Sequence, residues 1–178
     1  MARFFAKPVL CGAMLAGLAA CAPTLYSGGP SPGVRPPQAY PGQGPAIVAN
    51  ERFLQCVPYA RAMSGVWLNG DANTWWAQAE GRYARSNRPE IGAVLVLKGY
   101  NDPDRGHLAV VTAIVSEREI LVDQANWLNE GEISVRVPVF DVSPGNDWGQ
   151  VRVWHIPTNA LGVRVYEAQG FIHPGPVA

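Results

Sequence analysis

The chain has 178 residues, of which 48% are hydrophobic, and its 14 basic side chains balance its 14 acidic ones. A chain of that length buries one substantial core and has little room for a second, so one globular domain is expected. The balanced charge excludes the basic face that nucleic-acid binding requires, and no nucleic-acid partner is expected.

Residues 1–20 have the pattern of an export signal: a basic start is followed by an uncharged run of mostly small and apolar residues. The run is too short for a convincing membrane span. It ends in the letters LAAC at Cys21, which resembles a bacterial lipobox, where the cysteine carries lipid and becomes the mature N-terminus. We therefore expect an exported periplasmic lipoprotein, anchored to the outer membrane through Cys21. The alternative is a secreted protein with an ordinary cleaved signal.

Residues 21–45 are rich in proline and glycine and contain no acidic residue, which predicts an extended tether. The domain is expected over residues 46–158, with a C-terminal extension over residues 159–178. Loss of the signal and lipidation of Cys21 would leave Cys56 as the only free thiol. A single unpaired cysteine in an exported protein indicates a nucleophile, although a buried inert cysteine is the alternative.

Two helices are predicted in the first half of the domain. The segment Cys56–Met63 is nearly free of β-branched residues, and Pro58 suits a first helical turn. A second helix is predicted over Trp75–Arg82, behind cap-forming residues. A thiol at the start of the first helix is favoured as thiolate, because the free N–H groups and the macrodipole stabilise negative charge.

The second half of the domain changes to strand patterns. Short apolar runs predict about five strands, and the polar segment Ser116–Glu119 predicts an antiparallel hairpin between the second and third. Helices followed by an antiparallel sheet indicate an α+β fold, with the N-terminal helices packed on the sheet. A short edge strand within Leu161–His173 is also expected. The five runs cover residues 92–97, 107–115, 120–126, 133–140 and 151–156.

His107 begins the second predicted strand, where its side chain either faces a cleft or caps the strand. Strand alternation puts Gln124 and Asn126 on one face of the third strand and Asp123 on the other. Alternation therefore favours Asn126 as the partner of the imidazole. Charge favours Asp123, which reaches the imidazole only through a bulge. The choice among Asn126, Asp123 and Gln124 stays open at this point.

A cysteine, a histidine and a polar third residue in separate elements are typical of a thiol hydrolase. The thiol needs a base, and the base needs a partner that holds its tautomer; an adjacent imidazole also favours a thiolate–imidazolium pair near neutral pH. Backbone N–H groups at the helix start suit an oxyanion, with Gln55 as a side-chain donor, and Trp127 is expected to line the site. No metal-ligand spacing or phosphate loop occurs in the sequence, so neither a metal nor another cofactor is expected.

These local sequences resemble the CHAP domains, the cysteine, histidine-dependent amidohydrolases and peptidases of the papain-like NlpC/P60 group. The resemblance implies a papain-like domain in which Cys56 is the nucleophile, His107 is base and then acid, and a polar residue within Asp123–Asn126 is the third member. Many members carry an acidic residue where this chain has Gln124. The carriers of the resemblance are Gln55-Cys56-Val57-x-Tyr59-Ala60, Gly92-Ala93-Val94, Gly106-His107-x-Ala109-x-Val111 and Asn126-Trp127.

The resemblance implies cleavage of amide bonds in peptidoglycan, by an N-acetylmuramoyl-L-alanine amidase or a peptide endopeptidase. Peptidoglycan is then the expected partner, together with the membrane that holds the lipid anchor; a regulatory protein partner stays unidentified. A tethered domain suits a substrate that is a fixed polymer layer. The neutral Gln124 keeps two alternatives open: a weakly active or inactive wall-binding lipoprotein of the same fold, and a papain-like hydrolase of another amide.

Overall fold

The computed structural model describes residues 43–48 and 53–177. The expected signal, Cys21 and most of the expected tether lie outside these residues. Within them, no helix is long and apolar enough to cross a bilayer. The described strands are β1 (Ala46–Val48), β2 (Tyr83–Ser86), β3 (Val94–Lys98), β4 (Gly106–Ser116), β5 (Glu119–Ala125), β6 (Ile133–Asp141), β7 (Gln150–His155), β8 (Ala160–Leu161) and β9 (Tyr166–Pro176). The described helices are α1 (Cys56–Ser64) and α2 (Trp75–Gln78), with 3₁₀ turns at Ala72–Thr74 and Ile156–Thr158.

Six of these strands close into a barrel. Their antiparallel order is β6-β5-β4-β3-β9-β7, and β7 pairs again with β6, where Val139 lies opposite Val153. β1 extends the sheet beside β6, β2 pairs with β9, and β8 pairs with β7. The described part of the chain is therefore mostly sheet with two short helices. The expectation of an α+β, papain-like (NlpC/P60-type) domain, with helices packed on a sheet of about five strands, is wrong.

The strand that closes the barrel is β9, which lies among the residues expected to form a C-terminal extension. It pairs with β3, where Ile172 lies opposite Val94, and with β7, where Glu167 lies opposite Gln150. Closure pairs the edge N–H and C=O groups that an open sheet leaves exposed. The sequence of β9 mixes glycine and proline with apolar residues, so its alternation is too irregular to indicate a long central strand.

Alternation along the barrel strands separates two hydrophobic cores. In β3, Leu95 and Leu97 point into the barrel, which is filled by side chains from all six of its strands. Val94 and Val96 point outward and pack against the apolar residues of α1 and α2. α1 is therefore a short helix on the outside of a filled barrel. It ends at Gly65, whose φ of 74° provides a left-handed C-cap.

Most predicted elements agree with the structure to within one or two residues. α1 begins at Cys56 as predicted, and the hairpin of β4 and β5 is confirmed, with Ser116 opposite Glu119. The second predicted helix ends early, at Gln78, because the chain turns towards Gly81, whose φ of 67° cannot continue a right-handed helix.

Candidate active site

Cys56 and His107 line the same cavity at one end of the barrel. Cys56 is the first residue of α1, and His107 is the second residue of β4. His107 shares its strand face with Ala109, which lies in the barrel interior, so the imidazole sits at the mouth of the barrel. The cavity has a volume of about 690 Å³ and also reaches Trp127 and Tyr166. α1 thus brings its first residue from outside the barrel to the rim where His107 lies.

Gly106 is what allows His107 to start its strand at this rim. The 3₁₀ turn at Ala72–Thr74 passes so close that a Cβ on Gly106 would lie 2.7 Å from the Asn73 backbone nitrogen. Only glycine avoids that overlap without moving the turn. The Asn73 side chain also donates to the Pro103 carbonyl at 3.2 Å, which ties the turn to the loop before β4.

Gln124 is the partner of the His107 imidazole. Its Oε1 lies 3.0 Å from His107 Nε2. Gln124 lies on the inward face of β5 and is only 1% exposed. Because a carbonyl oxygen only accepts hydrogen bonds, Nε2 carries the ring proton and the Nδ1 lone pair is left to receive one. Gln124 therefore holds the tautomer that a cysteine hydrolase needs.

Trp127 packs against the other side of the imidazole. The ring centroids of Trp127 and His107 are 4.8 Å apart in an edge-on arrangement, and Trp127 also packs on Tyr166 at 5.1 Å. Tyr166 contacts Tyr100 at 5.9 Å, and the Arg164 guanidinium lies 4.0 Å above the Tyr100 ring. This row of rings restrains the imidazole plane, and Trp127, Tyr166 and Arg164 form one wall of the cavity.

Asn126 bonds to Gln55 and to the following loop. It has left the strand conformation, with φ at 61°, so its side chain no longer follows the alternation of β5. Its Nδ2 donates to Gln55 Oε1 at 2.9 Å, and its Oδ1 accepts from the Gly131 backbone N–H at 2.9 Å. Alternation thus indicated the right face for Gln124 and did not anticipate the turn at Asn126.

Asp123 points to the opposite side of β5. Its Oδ1 accepts a 2.7 Å hydrogen bond from the Arg136 backbone N–H. Arg136, with φ at 54°, belongs to a bulge in which β6 places an extra residue between the partners of Val122 and Gln124. A bulge is present, but it lies on β6, so it does not turn Asp123 towards the imidazole. The carboxylate instead stabilises the bulge.

The segment that carries these residues is similar to a known protein family. Residues 48–126 match the CHAP domain. The matched span contains Cys56, His107 and the segment from Asp123 to Asn126, and it ends before the strands that close the barrel. CHAP domains are in general amidase or peptidase hydrolases, which indicates a peptidoglycan hydrolase-type function in general terms. None of the curated proteins matches the chain.

Burial controls the protonation of Cys56 and His107, the two central groups of the candidate site. Burial raises the pKa of the Cys56 thiol, and backbone N–H groups at Leu108 and Val57 and the charge of Arg105 offset only part of that rise. Burial also lowers the pKa of His107 to about 4, against a smaller upward effect of the Gln124 hydrogen bond. A neutral amide supplies no charge to stabilise an imidazolium. The resting site therefore holds a thiol and a neutral imidazole, and the expected thiolate–imidazolium pair is not favoured.

A second cavity, of about 740 Å³, adjoins the first at Cys56. The two cavities share Cys56 and Arg105 and together form a groove. The first cavity is the aromatic arm of this groove, lined by Trp127, Tyr166 and Arg164. The second cavity is the acidic arm, lined by Asp71 and Asp104. Within the described residues, no three His, Cys, Asp or Glu side chains are grouped so as to hold a metal ion.

Sequence reasoning missed the aromatic arm, because two of its members come from the segment before and within β9. Arg164 and Tyr166 stand two positions apart, so they share a face in an extended chain and both reach the cavity. That spacing was the available signal. It carried no weight without knowing that β9 returns to the barrel beside β3.

Proposed function

We propose that this protein is an amidase or endopeptidase that cleaves amide bonds of peptidoglycan, with Cys56 as nucleophile and His107 as base. The CHAP domain match supports the general class. The observation that carries the finer proposal is that the Cys56 thiol and the Gln124-held imidazole line one cavity. Nucleophile, base and orienting residue are the three parts that covalent amide hydrolysis needs.

The reaction begins from the neutral pair. His107 Nδ1 takes the thiol proton as Cys56 Sγ attacks the amide carbon, and the carbonyl oxygen becomes an oxyanion near the N-terminal N–H groups of α1. Collapse of the tetrahedral intermediate breaks the C–N bond, and His107 gives its proton to the leaving amine. Water, deprotonated by His107, then attacks the thioester, which releases a carboxylic acid and restores the thiol.

The groove suits a polymeric substrate. Cys56 lies where the two arms meet, so chain segments on both sides of the scissile amide find space. The half-buried rings of Trp127 and Tyr166 in the aromatic arm favour contact with a sugar or an apolar segment, and Arg164 there favours a carboxylate. Peptidoglycan carries sugar rings in its glycan strands and carboxylates in its stem peptides.

The proposal also includes export and a lipid anchor at Cys21. The support is the sequence of residues 1–45, which lies almost wholly outside the described residues. Arg136 Nε donates to the carbonyls of Gln43 and Gly44 at 3.2 and 3.0 Å, so the end of the tether is attached to the domain. Labelling cells with an alkyne fatty acid tests the anchor. Label on the natural chain that is lost in Cys21→Ser supports it, and equal label in both contradicts it.

The experiment that tests the activity compares the natural chain with Cys56→Ala on purified peptidoglycan. Mass analysis of the released fragments should show new amine and carboxyl ends from the natural chain only. New ends between muramic acid and alanine identify an amidase, and new ends within the stem identify an endopeptidase. Equal release by both proteins contradicts the proposal.

A second candidate function is a wall-binding lipoprotein without turnover. The neutral Gln124 and the raised thiol pKa favour it, because neither helps to form a thiolate. Cosedimentation with insoluble peptidoglycan distinguishes the two functions. Cys56→Ala that binds as well as the natural chain, with no fragments released by either between pH 5 and 9, supports the binder. A papain-like hydrolase of another amide is indicated if both wall assays are negative while small acyl amides are cleaved.

A further inference from the structure

The amide orientation of Asn126 is determined by a backbone group. The Gly131 N–H only donates, so the Asn126 atom that faces it at 2.9 Å is the oxygen. The nitrogen of Asn126 must then face Gln55, and since that nitrogen only donates, Gln55 presents its own oxygen, at 2.9 Å. The orientation of two side-chain amides therefore follows from one backbone N–H.

The free end of the Gln55 amide is consequently its Nε2. Gln55 is the N-cap residue of α1, directly before Cys56, and its side chain lines both arms of the groove. We propose that Asn126 is a positioning residue, which fixes the polarity of the Gln55 amide so that Nε2, the side-chain donor already expected at the oxyanion, faces the groove. This inference rests on the proposed function and deepens it, because it gives the amide after β5 a role at the oxyanion rather than at the imidazole.

The loop after β5 is built to hold this arrangement still. The Asn126 backbone N–H donates to the Glu132 carbonyl at 2.8 Å. The Glu132 carboxylate, which is 8% exposed, accepts from the backbone N–H groups of Leu128 at 2.7 Å and Glu130 at 3.2 Å. These bonds fix the loop that presents the Gly131 N–H. A donor that is oriented before the reaction stabilises an oxyanion more than one that must reorient.

Asn126→Asp tests the inference with almost no change of shape. Aspartate tolerates the left-handed conformation, and one of its oxygens can still accept from the Gly131 N–H. The other oxygen cannot donate, so the Gln55 amide should rotate, donate Nε2 to the carboxylate and turn its oxygen towards the groove. We expect kcat to fall by about 10²-fold with little change in KM, the typical cost of losing one oxyanion donor.

A double-mutant cycle separates this role from a general effect of charge. Gln55→Ala should cost about as much as Asn126→Asp, and adding Asn126→Asp in the Gln55→Ala background should cost less than about threefold more. Asn129→Asp is the matched control. Asn129 also has a left-handed φ, 66°, and lines the same cavity, so any loss it shows measures added charge alone. A loss from Asn126→Asp that is equally large in both backgrounds overturns the inference.

The outcome is distinguishable from failure of the proposed function. If Cys56→Ala releases as much as the natural chain, the hydrolase proposal fails, and the cycle is then measured on the pH dependence of Cys56 alkylation. A rotated Gln55 places an oxygen near the sulfur, so Asn126→Asp should raise the thiol pKa more in the natural background than in Gln55→Ala. Equal shifts in the two backgrounds, or no shift in either, contradict the inference.

Discussion

His107 and His173 have similar polar partners in two regions of the molecule. His107 Nε2 lies 3.0 Å from Gln124 Oε1. His173 Nε2 lies 2.8 Å from Ser86 Oγ, and its Nδ1 lies 3.2 Å from Glu90 Oε2. By distances alone, the second region is closer to the serine, histidine and carboxylate arrangement of a hydrolase than the first.

The surroundings of the two histidines reverse that order. The Ser86 hydroxyl is also bonded to the backbone of Arg88, at 3.1 Å from its N–H and 3.2 Å from its carbonyl. Neither Ser86 nor His173 lines the two cavities of the groove, whereas Cys56 and His107 do. Ser86 and His173 instead join β2 to β9. Short distances to polar partners show that a histidine is held in place. A catalytic histidine must also share a cavity with a nucleophile.

Replacing Cys56 beside His107 and Ser86 beside His173 with alanine gives the largest expected contrast. Cys56→Ala should lower peptidoglycan release by at least about 10³-fold, since covalent catalysis cannot proceed without the thiol. Ser86→Ala should change release by no more than about twofold. Fragment release per hour at fixed enzyme concentration measures both. A larger loss in Ser86→Ala than in Cys56→Ala would contradict this comparison, because it would place the reaction at Ser86 and His173.

Removing each histidine gives the next largest contrast. His107→Ala should lower kcat/KM by about 10²–10⁴-fold, the usual contribution of a general base. His173→Ala should leave kcat/KM within about twofold and lower the free energy of unfolding by about 1 kcal/mol, the net value of a buried hydrogen bond. Urea unfolding and steady-state kinetics on the same samples measure both quantities. Loss of activity in both variants without loss of stability would contradict the comparison.

Changing the partner of His107 to a carboxylate tests why the resting site is neutral. In Gln124→Glu, the negative charge should favour the imidazolium and raise the His107 pKa from about 4. The imidazolium in turn should stabilise the thiolate, so iodoacetamide should modify Cys56 at pH 6 about tenfold faster or more than in the natural chain. The natural chain should label slowly at pH 6 and faster as pH rises above 9. Fast labelling of the natural chain at pH 6 would contradict the neutral pair.

Asp123→Asn gives the smallest effect and separates the two faces of β5. Burial raises the folded-state pKa of Asp123 above its ordinary value, so the ionised side chain destabilises the fold above that pKa, and the penalty disappears as pH falls below the ordinary value. The amide still accepts from the Arg136 N–H. We expect the free energy of unfolding to rise at pH 7 and to be unchanged at pH 3, with release changed by less than about twofold. Lower stability at pH 7 would contradict this prediction, and a large loss of release would indicate that Asp123 acts in the site.

Local patterns predicted the parts of this fold that local interactions determine. The start of α1 at Cys56 follows from its residue types, and the β4–β5 hairpin follows from the polar turn between two apolar runs. Closure of the barrel depends on pairing between β3 and β9, which are about seventy residues apart in the chain. No periodicity within β9 specifies its partner, so the fold class could not be predicted from the sequence.

The candidate site divides in the same way. Cys56, His107 and Trp127 were predicted from neighbouring residues, and the structure brings all three to one cavity. The assignment within the segment Asp123–Asn126 depends on a loop conformation and on a bulge in a different strand. Both features are set by tertiary contacts. Strand alternation can therefore place Gln124 and Asp123 on opposite faces without indicating that Asn126 turns to Gln55.

Trapping the acyl group with hydroxylamine tests covalent catalysis at Cys56 most directly. A thioester on Cys56 reacts with hydroxylamine to give a hydroxamate on the acyl fragment, whereas a water-only reaction gives the carboxylic acid alone. Mass spectrometry of soluble muropeptides treated with the natural chain should show hydroxamates that increase with hydroxylamine concentration, and none with Cys56→Ala. The fragment that carries the hydroxamate identifies the bond that is cut. Fragments that end only in carboxylic acids at every hydroxylamine concentration, or equal hydroxamate from both proteins, would contradict the account.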